Sequence, residues 1–269
     1  MSPTVHMTHV FTAGPNGGNP APIVIDADGM SDDQMRQVAR DHGHEAGFVL
    51  TAPEQFDHAL RFWVPNHEMP MCGHATVGAL WVLRELGRVT KDRLTLTTPG
   101  GVVHARLRDT IEISQPEGVV ETVPEIQDIL EVLGITAAEL APFPVQNART
   151  ARVKTLIPIA DVATLDALTP DFGRVQEVCE RIGSTGLYPY APSGDRRFDA
   201  RQFPRSSGYP EDAATGIAAA ALAFGLLDNG LVDRSDRPLR IRQGRAMGHP
   251  SEITLRFAPE GLWLGGPVR

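Results

Sequence analysis

Apolar positions along the chain follow two periods, and each change of period marks an element. In the first part, short runs rich in β-branched and aromatic residues recur between glycines and prolines: Thr8–Phe11, Ala21–Ile25, Gly47–Leu50, His58–Trp63, Leu94–Thr97, Val102–Leu107 and Ile111–Ile113. These read as strands, because a pleated, half-buried surface suits such side chains and the intervening residues suit turns. Two helices interrupt them. One opens at Ser31 with Gln34 at capping-box spacing and runs to about Asp41. The other starts at "CGHATVGALWVL", where Ala75, Val77, Ala79, Leu80, Trp81, Val82 and Leu83 leave no polar face. A helix apolar all round has to be enclosed, so sheet is expected about it.

The pattern breaks at "SQPEGVVETVP", residues 114–124, and then resumes. Ile126–Leu133 reads as a helix stopped by Gly134, Thr136 with Glu139 as a further helix start, and Asp171–Ile182 as a third helix. Strands are expected at Arg152–Ile157, Gly186–Tyr190, Asp199–Phe203, Leu239–Gln243 and Ile253–Phe257. Between them "EDAATGIAAAALAFGLLDNG", Glu211–Gly230, holds a second helix without a polar face, entered through Gly216 and closed by Asp228-Asn229-Gly230. Each half thus has one buried apolar helix with a glycine near its first turn. The echo predicts an α+β chain of two similar lobes, each wrapping sheet around a helix. Residues 1–118 form the N-terminal lobe, with 259–269 as a segment that can complete it, and residues 119–258 form the C-terminal lobe.

Composition narrows the partners. A net charge of −8 and a pI near 5.6 argue against a generic nucleic-acid or anionic-membrane surface and point to a small molecule. Cys72 and Cys179 form no spaced framework and read as thiols in a reducing compartment. "MSPTVHMTHVFTAG" lacks the basic and apolar regions of an export signal, and the apolar run Ala213–Leu227 is shorter than the roughly 20 residues a bilayer span needs. A cytoplasmic protein is expected, with no nucleic acid and no membrane among its partners.

The two helix starts suggest chemistry. Their first N–H groups lack helical partners and carry the positive end of the helix dipole, and a glycine lets a ligand approach closely. A pair of them can hold a carboxylate, and when the neighbouring carbon loses a proton the same donors stabilise the enediolate. Base candidates lie close by: His42, His44 and Glu45 in "DHGHEAGF", His67, Glu68, Cys72 and His74 in "NHEMPMCGH", Glu211 and Asp212 in "YPEDAATG". For Asp212 a helix-capping role competes with a catalytic one, and for His67 a solvated role does. Cys72 reads equally as a reactive thiol at a helix N-terminus and as a packed side chain. No H-E-x-x-H or C-x-x-C spacing occurs, and "AGPNGGNP" matches no phosphate-binding loop, so neither a metal nor a cofactor is expected.

These segments together resemble the PhzF family, the phenazine-biosynthesis-like proteins of the diaminopimelate epimerase fold. The similarity runs through "VFTAGPNGGNPAPIV", "HEAGFVL", "RFWVPNHEMPMCGHATVGA", "TPGG", "GYPEDAATG", "RQGRAMGHPSEITL" and "LWLGGPV". The resemblance implies two β-barrel-like lobes around central helices, an active site in the cleft between them, a homodimer, and cofactor-free acid–base isomerisation. Glu45 matches the family's proton-transferring Glu, His74 its active-site His, and Asp212 the Asp of its E-D-P-A-T-G motif. Gly73 and Gly216 match the glycines that bring helix starts to the substrate carboxylate, with Cys72 and Thr215 beside them, and Asn19 falls in the G-N-P motif. Three positions depart from the family: His44 and Ala46 flank Glu45 where hydroxyls are usual, Ile217 replaces a Ser, and His249 an Arg. The expected activity is proton movement between carbons of a small carboxylate. A racemase or epimerase, a dehydratase, and a non-catalytic carboxylate-binding protein are the alternatives.

Overall fold

The computed structural model describes residues 3–269; Met1 and Ser2, which begin both the stretch read for an export signal and the expected N-terminal lobe, lie outside the described residues. The chain forms two compact units, one of residues up to Ser114 with Gly265–Arg269, the other of Gln115–Leu264. In chain order the first part carries β1 (Val5–Val10), β2 (Asn19–Val24), α1 (Asp32–His42), β3 (Ala46–Leu50), β4 (His58–Trp63), β5 (Glu68–Met69), α2 (Gly73–Glu85), β6 (Arg93–Thr98), β7 (Gly101–Leu107) and β8 (Ile111–Gln115). Next come β9 (Val119–Thr122), α3 (Gln127–Leu133), β10 (Gln146–Arg149), β11 (Val153–Pro158), α4 (Val162–Ala167), α5 (Phe172–Arg181), β12 (Gly186–Gly194), β13 (Arg197–Ala200) and β14 (Phe203–Pro204). The chain closes with α6 (Gly216–Asp228), β15 (Leu239–Gln243), β16 (Ser251–Ala258) and β17 (Gly261–Gly266).

In the first unit β1 and β2 pair antiparallel, β2 runs parallel to β3, β3 antiparallel to β4, and β4 parallel to β6, which continues antiparallel through β7 and β8. The apolar helix α2 lies against β1, β2 and β3, with His74 to Leu80 all buried. Small residues bring it that close. A Cβ on Gly78 would stand 2.8 Å from Oγ1 of Thr8, and one on Gly47 would stand 3.3 Å from Cβ of Ala75. The start of β3 is thereby seated beside the start of α2. Helix α1 has its capping box, with Gln34 N donating to Ser31 Oγ at 3.3 Å and Ser31 N to Gln34 Oε1 at 2.8 Å. It ends on Gly43 at φ 67°, a left-handed residue that turns the chain into β3 and leaves Glu45 at the strand's entrance.

In the second unit β9, β10 and β11 are antiparallel, β11 runs parallel to β12, and β12 pairs antiparallel with β13 and β14. β13 runs parallel to β15, which pairs antiparallel with β16. Helix α6 lies against β9, β10, β11 and β16. Helices α3 and α5 pack a further apolar core around Ile129, Val132, Val178 and Cys179. Among the described residues no helix is long and apolar enough to cross a membrane.

Two sequence expectations change in the structure. Thr136 and Glu139 do form a capping box, but it opens only a single 3₁₀ turn, Ala137–Glu139, because "APFP" follows and residues before proline avoid helical geometry. The single strand expected at Asp199–Phe203 is split into β13 and β14. Arg201, at the break, turns its guanidinium to the carbonyls of Leu165, Asp166 and Leu168 and to Glu211. As expected, α6 begins at Gly216, with Asp212 in the loop that enters it.

Candidate active site

The first unit brings three of the expected residues together. Glu45 follows the α1 turn, Cys72 is the N-cap residue of α2, and His74 lies in its first turn. The Cys72 thiol donates to Glu45 Oε2 at 3.1 Å and lies 3.3 Å from His74 Nδ1, which is itself 3.6 Å from the same carboxylate oxygen. Cys72 does not cap the helix with its side chain; its carbonyl accepts from Thr76 N at 3.0 Å and from Thr76 Oγ1 at 2.7 Å. The thiol is therefore aimed at Glu45. Glu45 keeps 30% of its side chain exposed, whereas Cys72 and His74 are buried, so the carboxylate is the solvent-facing member. A Cβ built on Gly73 meets only Ile113 Cδ1, at 3.8 Å, so the side of the first turn of α2 that Gly73 faces is uncrowded.

Their donor atoms all lie within 4.8 Å of one another, a thiolate, imidazole and carboxylate set of the kind a thiophilic divalent cation takes. The sequence did not suggest it, because the ligands come from separate segments and match no metal spacing. One observation weighs toward proton chemistry. A metal-bound imidazole passes its other N–H to a carboxylate or carbonyl, and Nε2 of His74 is buried without a hydrogen-bond partner. Beside the trio His44 is held below its ordinary value by burial, then by the nearby His74, His42 and His9, with Glu45 acting in the opposite direction. It remains a neutral imidazole at neutral pH.

The second unit orders Asp212 and Thr215. Thr215, N-cap residue of α6, donates from Oγ1 to Asp212 Oδ2 at 2.5 Å. Gln243, at the end of β15, donates from Nε2 to Asp212 O at 2.6 Å and to Thr215 Oγ1 at 3.0 Å. Its Oε1 accepts from Tyr188 Oη at 2.9 Å and from Thr215 N at 3.3 Å. These bonds fix which way the hydroxyl points: it receives from the amide and gives to the carboxylate. Gly244, at φ 77°, closes against the loop, where a Cβ would stand 2.3 Å from His249 O and 2.7 Å from Ala213 O. Gly216 then heads α6 as expected.

Other candidates are accounted for differently. Glu211 pairs with the buried Arg201 through two bonds, at 2.9 and 2.8 Å, and Glu68 with Arg61 at 2.5 Å; both are structural ion-pair partners. Asn19 begins β2 opposite Val10, outside the trio of converging donors. Cys179 is buried in α5, where burial pushes its thiol up to about 11, so the start of α6 has no thiol to match Cys72. Sequence reading missed Gln243, Tyr188, Gln202 and Lys154, all buried polar residues of the second unit.

Comparison with known proteins agrees with this architecture. The chain is 31% identical to the uncharacterized isomerase YddE of Escherichia coli K12, over 99% of this chain and 95% of that one. It is 29% identical to the trans-2,3-dihydro-3-hydroxyanthranilate isomerase of Pseudomonas aeruginosa, over 93% and 89%. The crystal structure of a PhzF-family phenazine biosynthesis protein from Bacillus anthracis superposes with a TM-score of 0.88 at 24% identity, covering 98% and 95% of the two chains. The family model described as phenazine biosynthesis-like protein matches residues 8–261, nearly the whole chain, and this protein therefore belongs to the PhzC-PhzF family.

Proposed function

We propose that the protein is a cofactor-independent isomerase that moves a proton between carbons of a small carboxylate substrate. The observation that carries this reading is the convergence of Glu45, Cys72 and His74 at the head of α2. Glu45, its carboxylate partly exposed, takes the proton and returns it elsewhere. His74 and Asp212 orient the substrate or relay the proton, and the amides behind Gly73 and Gly216 hold the carboxylate. Support comes from relatives of nearly full coverage whose names say isomerase.

The test is NMR in D₂O of cyclic amino, hydroxy and dihydroaromatic carboxylates, trans-2,3-dihydro-3-hydroxyanthranilate among them. Wild type is expected to place deuterium on one carbon, and Glu45→Gln to lose about 10²- to 10⁴-fold in rate while still broadening ligand signals. Wild-type turnover in Glu45→Gln rejects Glu45 as the base. Broadening without exchange, in wild type as well, supports a carboxylate-binding protein instead.

A second reading has its own observation. The Cys72 thiol is within hydrogen-bond reach of Glu45, so the pair can share a proton and act together on one face of a substrate carbon; epimerisation then needs an acid on the opposite face, the role Asp212 would take. Deuterium returned to its original carbon with inverted configuration, and lost in Cys72→Ala, identifies it.

A further inference from the structure

The second unit buries a charge that the proposed chemistry does not use. The chain has only two lysines, Lys91 and Lys154, against 23 arginines, and Lys154 on β11 is 6% exposed. An ammonium is rarely buried without compensation, since its desolvation costs several kcal/mol. Its one hydrogen bond, to Thr185 O, is long at 3.5 Å. Beside it the Gln202 amide is 1% exposed, with neither Oε1 nor Nε2 hydrogen-bonded. Both head groups crowd Gly186, where a Cβ would stand 2.3 Å from Gln202 Nε2 and 3.2 Å from Lys154 Nζ. A half-turn of the amide exchanges Nε2 for Oε1 on the side beside Gly186 that Lys154 Nζ shares, offering the ammonium an acceptor in place of a second donor.

Gln202 leads to Asp212. Its backbone carbonyl accepts from Asp212 N at 3.1 Å in an isolated bridge between the two residues. Burial pushes Lys154 down to about 8; Asp212 is the largest opposing influence, Arg152 and Arg205 add to the fall, and Cys179 resists it. An arginine there would stay charged at every accessible pH, whereas a lysine can lose its proton.

We propose that Lys154 is a positioning residue whose buried ammonium, linked through Gln202, holds Asp212 as the carboxylate that orders Thr215 and the head of α6. That this head receives a substrate carboxylate rests on the function proposed above; the coupling of Lys154 to Asp212 does not.

The test uses lysine labelled with ¹³C at Cε in the full-length protein, which gives two signals. One is expected to vanish in Lys154→Met, to titrate near pH 8 in wild type, and to move down by about one pH unit in Asp212→Asn. The Thr215 amide resonance should follow the same wild-type titration. A signal titrating with Lys91, a midpoint unmoved by Asp212→Asn, or a Thr215 amide indifferent to the transition each overturns the proposal. The Asp212→Asn measurement keeps the lysine, so it decides the matter even if Lys154→Met does not fold. With trans-2,3-dihydro-3-hydroxyanthranilate as the activity probe, Lys154→Met is expected to raise KM about tenfold more than it lowers kcat, because carboxylate placement is what it disturbs. Absence of exchange by wild type on that probe counts against the proposed function and leaves the lysine titration to judge the coupling.

Discussion

Gln243 uses all four hydrogen-bonding capacities of its amide, toward Asp212 O, Thr215 Oγ1, Thr215 N and Tyr188 Oη. Such a buried node loses more when it is removed than when one neighbour is. Gln243→Leu leaves several buried polar atoms without partners, and a destabilisation of about 2–4 kcal/mol is expected in urea unfolding. Tyr188→Phe removes one donor from an oxygen that still accepts from Thr215 N, and about 1 kcal/mol is expected. Equal costs for the two would show that Gln243 is not the node. At this scale the sequence is legible where unusual residue types crowd a glycine, as Glu45, Cys72, Gly73 and His74 do. It is silent where a polar residue occupies an ordinary place in a strand. Lys154 in "RVKTLIP" and Gln243 in "LRIRQ" are single polar residues that belong to no motif, yet both are buried, Gln243 on the face it shares with Leu239 and Ile241.

Two glycines of α2 separate packing from binding at the scale of the element. Gly78 faces Thr8 Oγ1 at 2.8 Å from a built Cβ, and Thr8 is fully buried and bonded to Ala21 O, so it has little freedom to move aside. Gly78→Ala is expected to push α2 off β1 at a cost of about 1–3 kcal/mol, seen as a lower Tm. Gly73→Ala meets only Ile113 Cδ1 at 3.8 Å and should fold with nearly unchanged Tm. Its methyl group adds bulk at the residue that carries the first helix amides and, on the proposed function, is expected to weaken binding of a carboxylate ligand in the NMR panel. A Gly73→Ala protein that binds normally would remove those amides from the proposed site. Both apolar helices and most inner strands could be read from periodicity, because enclosure imposes it. β9, β10, α4 and β17 went unread for opposite reasons. Val119–Thr122 is largely exposed, Gln146–Arg149 is mostly polar, Val162–Ala167 is a short helix, and Gly261–Gly266 is half glycine, the weakest of strand formers.

For the molecule as a whole, Lys154 gives stability a dependence on pH that most of its other basic groups, the arginines, cannot. Its value in the folded protein is about 8, against an ordinary 10.5 that the unfolded chain restores. Below pH 8 both states carry the proton, and the folded state bears the full penalty of an ammonium held out of water. Between about 8 and 10.5 the folded state has released the proton while the unfolded state still binds it, so unfolding takes up a proton and stability rises with pH. The penalty amounts to about 3 kcal/mol, and Lys154→Met never incurs it. Lys154→Met is therefore expected to gain most over wild type at pH 7, less the packing cost of the exchange, and that gain should shrink steadily on going to pH 9.5. Cys179, pushed up to about 11 by burial, acts in the opposite direction above pH 9, as does the buried Tyr188 at higher pH. Tyr188 is present in wild type and variant alike and cancels in the difference between them, whereas Cys179 loses the influence of the Lys154 ammonium in the variant and its thiol rises further, an effect confined to pH values above about 9. Urea unfolding of the two proteins at pH 7 and 9.5 measures that difference directly. If it is the same at both values, the ammonium is fully compensated where it lies, Lys154 does not titrate near pH 8, and the coupling proposed above is overturned with it.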